Sequence, residues 1–310
     1  MRYESPTTTK AAVALLSGEK GQAYVLAGGT DLLVRLRMDT IEPDLMVDIK
    51  RIPAMSEVTK TASGFKIGAA VSGAALEKNK ALVKAWPGVV EAANLIGSDQ
   101  IQGRCTMVGN LCNASPAADS VPALIAAGAK AVIVGKKKRT VPVEKFITGP
   151  GQTCLEKGEI VESITLPAPA KKSGDAYLRF IPRTEMDIAV VGVGISLTLK
   201  RGVIDSARVS LGAVAPTPLL VKAAAKAIIG TKLDDDALDA LAMACTAACN
   251  PIDDKRGTIE YRERVAGVLA KRTAKIAYEK LAHFSKGKFL NKEAVDMKFS
   301  WEKMGKMMKA

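Results

Sequence analysis

The sequence predicts an α+β protein that is built from more than one domain. Its 310 residues exceed the usual size of a single domain. Short apolar strands alternate with helices up to residue 166, whereas long strands and then long helices follow residue 174. Residues 167–174, rich in proline, alanine and lysine, have the composition of a linker. These three observations separate an N-terminal mixed region from a C-terminal α+β domain.

The composition is that of a globular protein with an aliphatic core. Hydrophobic residues make up 48% of the chain, charged residues 25% and aromatic residues only 4%. The core is therefore expected to consist mainly of alanine, valine, leucine and isoleucine. This composition excludes disordered, collagen-like and fibrous classes.

The formal net charge is +13, and it is concentrated in two places. Seven lysines face three acids in residues 286–310, and Lys136 to Arg139 form a basic knot between two apolar stretches, as in an exposed hairpin turn. Neither patch contains the interleaved aromatic residues that stack on bases, so no nucleic-acid partner is predicted. A docking surface for an acidic partner or a dinucleotide phosphate is favoured instead.

The cysteine and histidine content argues against a metal centre held by this chain. The five cysteines include no C-x-x-C pair, and His283 is the single histidine. Cys245 and Cys249 are predicted to be core residues of a helix. The odd number of cysteines favours a reducing compartment. The sequence has neither a signal-peptide pattern nor a run of about 18 apolar residues, so we expect a cytoplasmic chain without membrane insertion.

A pair of glycines lies between the first predicted strand and a predicted helix. The apolar run Ala23–Ala27 ends at Gly28 and Gly29, and a helix is expected from residue 32 to 38. Such a turn presents free backbone N–H groups to an anion, and Thr30 adds a hydroxyl. The pattern matches neither the Walker motif nor G-x-G-x-x-G, and an ordinary tight turn remains an alternative. A strand over 45–49 completes this small unit.

A polar segment at 105–119 stands out in the following region. This region is predicted to contain strands at 65–71 and 159–166, helical stretches between 74 and 96 that break at Pro87-Gly88, and a helix at 121–127. Thr106, Asn110, Asn113 and Ser115 supply hydroxyl and amide groups, and Gly109 allows close approach to the backbone. Such a segment suits an uncharged or phosphate-bearing ligand better than a metal. Local composition alone fits an ordinary turn region equally well.

The C-terminal part is predicted to contain three strands and then three helices. The strands span 177–183, 188–200 and 203–213, and the helices span 219–229, 234–250 and 258–283. The acids at 234–236 suit the start of the second helix. The last 25 residues are rich in lysine and methionine and form a basic extension.

Four motifs in order resemble those of a known family. They are residues 27–33, residues 109–119, Pro182-Arg183 with residues 186–189, and residues 212–218. Together they resemble the FAD-binding medium subunit of the molybdenum hydroxylases, the group of xanthine dehydrogenase, carbon monoxide dehydrogenase and 4-hydroxybenzoyl-CoA reductase. The resemblance implies a two-subdomain FAD-binding fold similar to that of vanillyl-alcohol oxidase, over 1–56 and 57–170. A C-terminal α+β domain over 175–285 and the extension 286–310 would follow.

The resemblance also assigns cofactor contacts, and no catalytic residue or metal ligand, because the flavin carries the chemistry. The implied FAD-binding residues are Ala27, Gly28, Gly29, Thr30 and Asp31 at the pyrophosphate, then Ile96, Thr106, Gly109, Asn110, Asp119, Val161 and Arg179. Arg179 takes the position of a basic residue near the flavin, usually lysine. Val108 replaces a usual glycine, and it would be strained if that position needed a positive φ. Asp31, Arg183 and Asp187 are favoured as structural salt-bridge residues.

The implied function is electron transfer within a complex. A large partner subunit with molybdopterin would oxidise the substrate, and a small iron-sulfur subunit with two 2Fe-2S clusters would pass electrons to FAD in this chain. The acceptor would be NAD or another carrier, and the complex a heterotrimer or a dimer of heterotrimers. No additional iron-sulfur cluster is expected here. The alternatives are a self-contained flavoprotein oxidase or dehydrogenase and a non-catalytic basic scaffold that has lost FAD.

Overall fold

Three main sheets, each drawn from a different stretch of sequence, organise the chain. The structure is a computed structural model that describes residues 1–183 and 186–285. Mixed sheets and helices run through all of it, so the predicted α+β class is confirmed. The predicted extension at 286–310 lies outside the described residues.

The first sheet is a small parallel one. Its elements are β1 (Arg2–Glu4), α1 (Thr9–Gly18), β2 (Ala23–Leu26), α2 (Leu32–Arg37) and β3 (Leu45–Asp48), with the strand order β1-β3-β2. The side chain of Thr8 accepts a hydrogen bond from Ala11 N and so caps α1, as its position before an apolar run predicts. Because the strands are parallel, their carboxyl ends share one edge, and β2 leads from that edge into the glycine turn, residues 27–31.

The second sheet has the order β4-β5-β10-β6-β7, and all its pairs are antiparallel. Its region contains β4 (Val58–Thr61), β5 (Gly64–Gly68), α3 (Gly73–Lys78), α4 (Lys80–Ala85), α5 (Pro87–Ala93), α6 (Asp99–Gln102), α7 (Met107–Asn113), α8 (Ser120–Ala126), β6 (Lys130–Val134), β7 (Lys138–Pro142), β8 (Ile147–Gly149), β9 (Gln152–Thr153) and β10 (Ile160–Pro167). Short 3₁₀ helices occupy Pro53–Met55 and Val143–Lys145. Strands β8 and β9 form a separate two-stranded pair.

Two local features of this region follow directly from residue type. Pro87 opens α5 because proline lacks the N–H group that a position inside the helix would need, so the predicted helical region breaks there. The basic knot lies at the turn between β6 and β7, where Val134 pairs with Lys138. The hairpin that the sequence predicts at this point is therefore present.

The third sheet is antiparallel, with the order β11-β12-β13-β14, and three helices pack against it. Its elements are β11 (Ser173–Phe180), β12 (Val191–Lys200), β13 (Val203–Gly212), β14 (Leu219–Leu220), α9 (Lys222–Ile228), α10 (Asp235–Ala247) and α11 (Ile259–Ser285). Asp234 caps α10 by accepting from Ala237 N. The predicted helix at 219–229 is shorter than expected, because its first two residues pair with β13 as β14.

The third sheet packs directly against helices of the second region. A Cβ atom added to Gly194 would lie 2.5 Å from the carbonyl oxygen of Pro122, and one added to Gly212 would lie 2.6 Å from that proline's ring. Glycine in β12 and β13 therefore lets α8 approach the sheet closely. The chain between β10 and β11 is only residues 168–172. The four-part domain division stays a prediction.

All five cysteines are free thiols, and Cys245 lies fully buried in the core between the third sheet and its helices, as predicted. Cys249, also predicted to be a core residue, is only partly buried where it packs against that core. Burial raises the pKa of the Cys245 thiol to about 12. No helix in the described ranges is long and apolar enough to cross a membrane. Within the same ranges, no cluster of histidine, cysteine and acidic residues has the arrangement of a metal site.

Candidate cofactor-binding site

The glycine turn has a backbone that requires glycine at two positions. Gly29 has a φ of +79°, a conformation that residues with a Cβ rarely adopt. A Cβ atom on Gly28 would lie 2.1 Å from the carbonyl oxygen of Arg104. Among the described residues, no protein acceptor receives a hydrogen bond from the backbone N–H of Gly28, Gly29 or Thr30. The turn thus presents N–H groups that remain available to a bound anion.

The polar segment lies against the glycine turn. Gly28 packs on the backbone of Arg104 and Cys105, just before the segment's first hydroxyl group. The side chain of Asn113 donates to the exposed carboxylate of Asp31 over 3.3 Å. The fold therefore brings together two polar elements that are about 80 residues apart in sequence, and each is half of the predicted FAD contact set.

Helix α7 begins directly after Thr106, which is 3% exposed. Its Oγ1 accepts a hydrogen bond of 2.8 Å from the backbone N–H of Gly109, so Thr106 is the N-cap of this helix. The next residues, Met107 and Val108, are helical and buried. Val108 has no positive φ, so the β-branched residue at the usual glycine position is accommodated without backbone strain.

Asn110 connects α7 to α8. Its Oδ1 accepts hydrogen bonds from the backbone N–H of Ser120 over 3.1 Å and from the Ser120 hydroxyl over 2.7 Å. Ser120 is the first residue of α8 and is fully buried. Asn110 therefore fixes the position of Asp119, the residue that immediately precedes this helix.

Asp119 forms a buried ion pair with Arg179 of β11. Arg179 Nη1 lies 2.9 Å from Asp119 Oδ2, and the side chains are only 7% and 12% exposed. The hydroxyl of Tyr177, two residues earlier on the same face of β11, donates to Asp119 Oδ1 over 3.3 Å. Burial raises the pKa of Asp119, and the Arg179 guanidinium acts against that rise. No motif in the sequence marks Tyr177 as a site residue, although its period-two spacing from Arg179 places it on this face.

Ile96 and Val161 differ in burial and in local structure. Ile96 is half-buried just beyond the end of α5, in a loop joined to α6 by a hydrogen bond from Gln102 Nε2 to the carbonyl oxygen of Asn94. The Oδ1 atom of Asn94 is buried and has no hydrogen-bond partner. Val161 is buried in β10 opposite Ile133. Ile96 therefore lies in a loop with an unsatisfied acceptor, whereas Val161 lies in the sheet core.

Arg183 and Asp187 form a structural ion pair, as favoured from the sequence, whereas Asp31, also favoured as a salt-bridge residue, forms none within the described ranges. Arg183 Nε lies 3.1 Å from Asp187 Oδ2, and Arg256 Nε lies 3.2 Å from Asp187 Oδ1. These contacts join the segment between β11 and β12 to the loop before α11. In the part of the chain that the structure describes, these ion pairs include no residue of the glycine turn or the polar segment.

The donor set fits a dinucleotide better than a metal ion. Free backbone N–H groups suit phosphate oxygens, and the partly exposed amide side chains of Asn110 and Asn113 belong to the adjacent polar segment, in which Thr106 is the buried helix cap. The buried Asp119–Arg179 pair lies at the far end of the same segment. The site thus combines an anion-binding turn with a neutral polar wall and a guanidinium group, which together fit FAD.

Comparisons with known proteins agree with this fit. Residues 1–169 match the model of the "FAD binding domain in molybdopterin dehydrogenase", and residues 176–277 match the "CO dehydrogenase flavoprotein C-terminal domain". The first match alone covers more than half of the chain. The fold and the site therefore define an FAD-binding subunit of the molybdopterin dehydrogenase class.

Individual relatives belong to the same class. The carbon monoxide dehydrogenase medium chain of Hydrogenophaga pseudoflava is 31% identical over 90% of this chain and 98% of its own. A putative xanthine dehydrogenase FAD-binding subunit of Escherichia coli is 29% identical over 87% of this chain and 93% of its own. A solved structure of the Hydrogenophaga pseudoflava carbon monoxide dehydrogenase, 32% identical, superposes with a TM-score of 0.87 over 90% of this chain and 98% of that chain.

The chain belongs to the family of FAD-binding medium subunits of the molybdenum hydroxylases. This confirms the family resemblance, the oxidoreductase class and FAD as the cofactor of this chain. The relatives are named as chains or subunits of larger enzymes, so the expectation of a multi-subunit complex is also confirmed. The individual FAD contacts remain predictions.

Proposed function

We propose that this chain binds FAD between the glycine turn and the polar segment and transfers electrons through it. The observation that carries the proposal is the contact of Gly28 with Arg104 and Cys105, which joins the two halves of the predicted contact set. When bound, FAD supplies the conversion between one-electron and two-electron transfer. The residues of this chain bind the FAD and hold it in position.

Each polar residue then has a defined task. The N–H groups of Gly28, Gly29 and Thr30 donate to the pyrophosphate, and Asp31 is held beside them by Asn113. The helix cap at Thr106 and the Asn110–Ser120 hydrogen bonds hold the polar segment in one conformation. A rigid, preformed site of this kind lowers the ordering cost of cofactor binding.

Arg179 is proposed to face the flavin ring system. Its guanidinium carries a permanent positive charge, which favours negative charge that develops on the cofactor during reduction. Asp119 holds the guanidinium in place and partly neutralises it. The pair therefore sets both the position and the strength of the positive field.

The proposed partners are a large subunit with molybdopterin and a small subunit with two 2Fe-2S clusters, in a heterotrimer or a dimer of heterotrimers. Electrons pass from the iron-sulfur clusters to FAD in this chain and then to NAD or another acceptor. The family membership and the medium-chain relatives support this division of tasks. A cytoplasmic location is proposed from the five free cysteines.

Purification of the native complex through a tag on this chain tests the proposal. We expect one FAD per chain, with a molybdenum-containing large chain and an iron-sulfur small chain in the same complex. A protein that turns over substrate alone would be a self-contained flavoprotein oxidase or dehydrogenase. A chain that shows no flavin absorbance after refolding with excess FAD would be a non-catalytic scaffold. Either result would overturn the proposal.

A further inference from the structure

A second group of side chains, at the carboxyl end of β3, contacts the glycine turn. Lys50 follows β3, and its Nζ lies 3.1 Å from the carbonyl oxygen of Ala27, the first residue of the turn. The same ammonium lies 2.8 Å from Asp48 Oδ1, and Tyr3 Oη lies 2.5 Å from Asp48 Oδ2. The network therefore connects all three strands of the parallel sheet at their carboxyl ends, where ligands bind in sheets of this kind.

Asp48 anchors the ammonium as an ionised carboxylate. Burial acts to raise the pKa of Asp48, but hydrogen bonds from Lys50 and Tyr3 outweigh it and lower the pKa overall. The carboxylate is almost fully buried and also accepts from the backbone N–H of Lys50 over 3.0 Å. The lysine is thus bound at both ends of its side chain, which restricts the ammonium to the position beside Ala27.

The hydrogen bond to Ala27 has a geometric consequence for the next residue. A trans peptide unit is planar, and its C=O and N–H groups point in opposite directions. When Lys50 holds the carbonyl oxygen of Ala27, it also fixes the direction of the Gly28 N–H. That N–H is one of the turn donors without a protein acceptor among the described residues.

We propose that Lys50 is a positioning residue for FAD, which acts by holding the Ala27–Gly28 peptide so that the Gly28 N–H points at the pyrophosphate. This inference rests on the proposed FAD site. It adds a residue that follows β3 to a contact set otherwise drawn from the turn, the loop after α5, the polar segment, β10 and β11. The charge of Lys50 further offsets the negative charge that the pyrophosphate brings to this edge of the sheet.

The test uses full-length apoprotein with three variants and three ligands. Lys50→Met removes both the donor and the charge, Lys50→Arg keeps both, and Arg51→Met removes a charge from the exposed neighbouring residue as the matched control. The ligands are FAD, ADP, which contains the pyrophosphate group, and riboflavin, which lacks phosphate. Dissociation constants are measured by fluorescence and calorimetric titration, and the stability of each apoprotein is measured by urea unfolding.

For Lys50→Met we expect binding of FAD and ADP to weaken by about tenfold or more, which is the size of a lost hydrogen bond to a charged group. Riboflavin binding and the urea midpoint should stay unchanged, Lys50→Arg should restore binding, and Arg51→Met should bind like the wild type. Equal binding by wild type and Lys50→Met overturns the inference, as does equal weakening in Arg51→Met or a matching loss of apoprotein stability. Wild-type apoprotein that binds no FAD overturns the proposed site itself.

Discussion

Asp119 and Arg179 meet in a buried ion pair of 2.9 Å that joins the residue before α8 to the penultimate residue of β11. The two residues lie 60 positions apart and on opposite sides of the linker. The pair therefore has two effects, because it holds the C-terminal sheet against the second region and orients the guanidinium at the candidate cofactor site.

Removal of the guanidinium is expected to destabilise the protein strongly. Arg179→Met leaves the Asp119 carboxylate buried without its partner charge, at a cost of about 3–5 kcal/mol in the free energy of unfolding. The double variant Arg179→Met with Asp119→Asn should recover a large part of this loss. Urea unfolding of the four proteins in a double-mutant cycle gives the coupling energy. Additive losses would mean that the pair contributes no coupling.

The polar segment should be required for flavin binding but not for folding. Thr106→Ala together with Asn110→Ala removes the cap of α7 and the two hydrogen bonds from Ser120. Loss of the cap alone costs about 1 kcal/mol. We expect a folded protein by circular dichroism with little bound FAD by visible absorbance. Thr106→Ser keeps the capping oxygen and serves as the control; full FAD retention in the double variant would place the cofactor elsewhere.

A methyl group at Gly28 should separate the two halves of the site. Gly28→Ala forces Cβ against the backbone of Arg104, and neither backbone can move without displacing the other. A substitution of this kind costs about 1–3 kcal/mol by overpacking, and it should also weaken FAD binding. Gly18→Ala is the matched control, because no atom lies within 4 Å of its added methyl group. Thermal unfolding and FAD titration distinguish the two variants. Equal stability and equal FAD affinity in Gly28→Ala and Gly18→Ala would contradict the close packing of Gly28 on Arg104.

Asp175 should make stability depend on pH. It lies buried in β11, accepts from Val89 N over 3.2 Å, and faces Glu91 of α5 and Lys280 of α11. Burial raises its pKa to about 7, whereas an unfolded chain titrates near about 4. Between these values the folded state holds a proton that the unfolded state has lost, so the free energy of unfolding falls as pH rises from about 4 to 7.

Asp175→Asn should remove this slope, because the amide has no charge to bury and still offers an acceptor to Val89. We therefore expect the variant to gain stability over the wild type more at pH 7.5 than at pH 5. Urea unfolding at both pH values checks the result. Asp205→Asn, at an exposed position of β13, is the control and should keep the wild-type slope. An unchanged slope in Asp175→Asn would assign the pH dependence to another group.

Local features were predictable where residue type determines backbone geometry. The glycine turn, the Pro87 break, the basic hairpin and the Asp234 cap all follow from preferences that act within a few residues. The residue at which a helix begins is less well determined by local sequence. Residues 219–220 have apolar side chains that suit a helix, but pairing with β13 takes them into a strand.

The contacts of the candidate site were not predictable in the same way. No local pattern shows that Tyr177 and Arg179 share one carboxylate, or that Lys50 reaches Ala27, since both depend on the packing of distant segments. The sequence also does not show whether position 108 needs a positive φ. The position of Val108 inside α7 shows that it does not.

The close packing of α8 on glycines of β12 and β13 has a consequence for synthesis of the chain. All seven residues of α8 are buried, and Pro122 is covered by strands that end at Gly212. The 90 residues that follow Pro122, up to the end of β13 at Gly212, take roughly 5 to 20 s to synthesise at about 5–20 residues per second. During that interval the nascent chain exposes an apolar helix that only its own later strands can cover. A truncated product that stops at the linker would keep this surface exposed and aggregate.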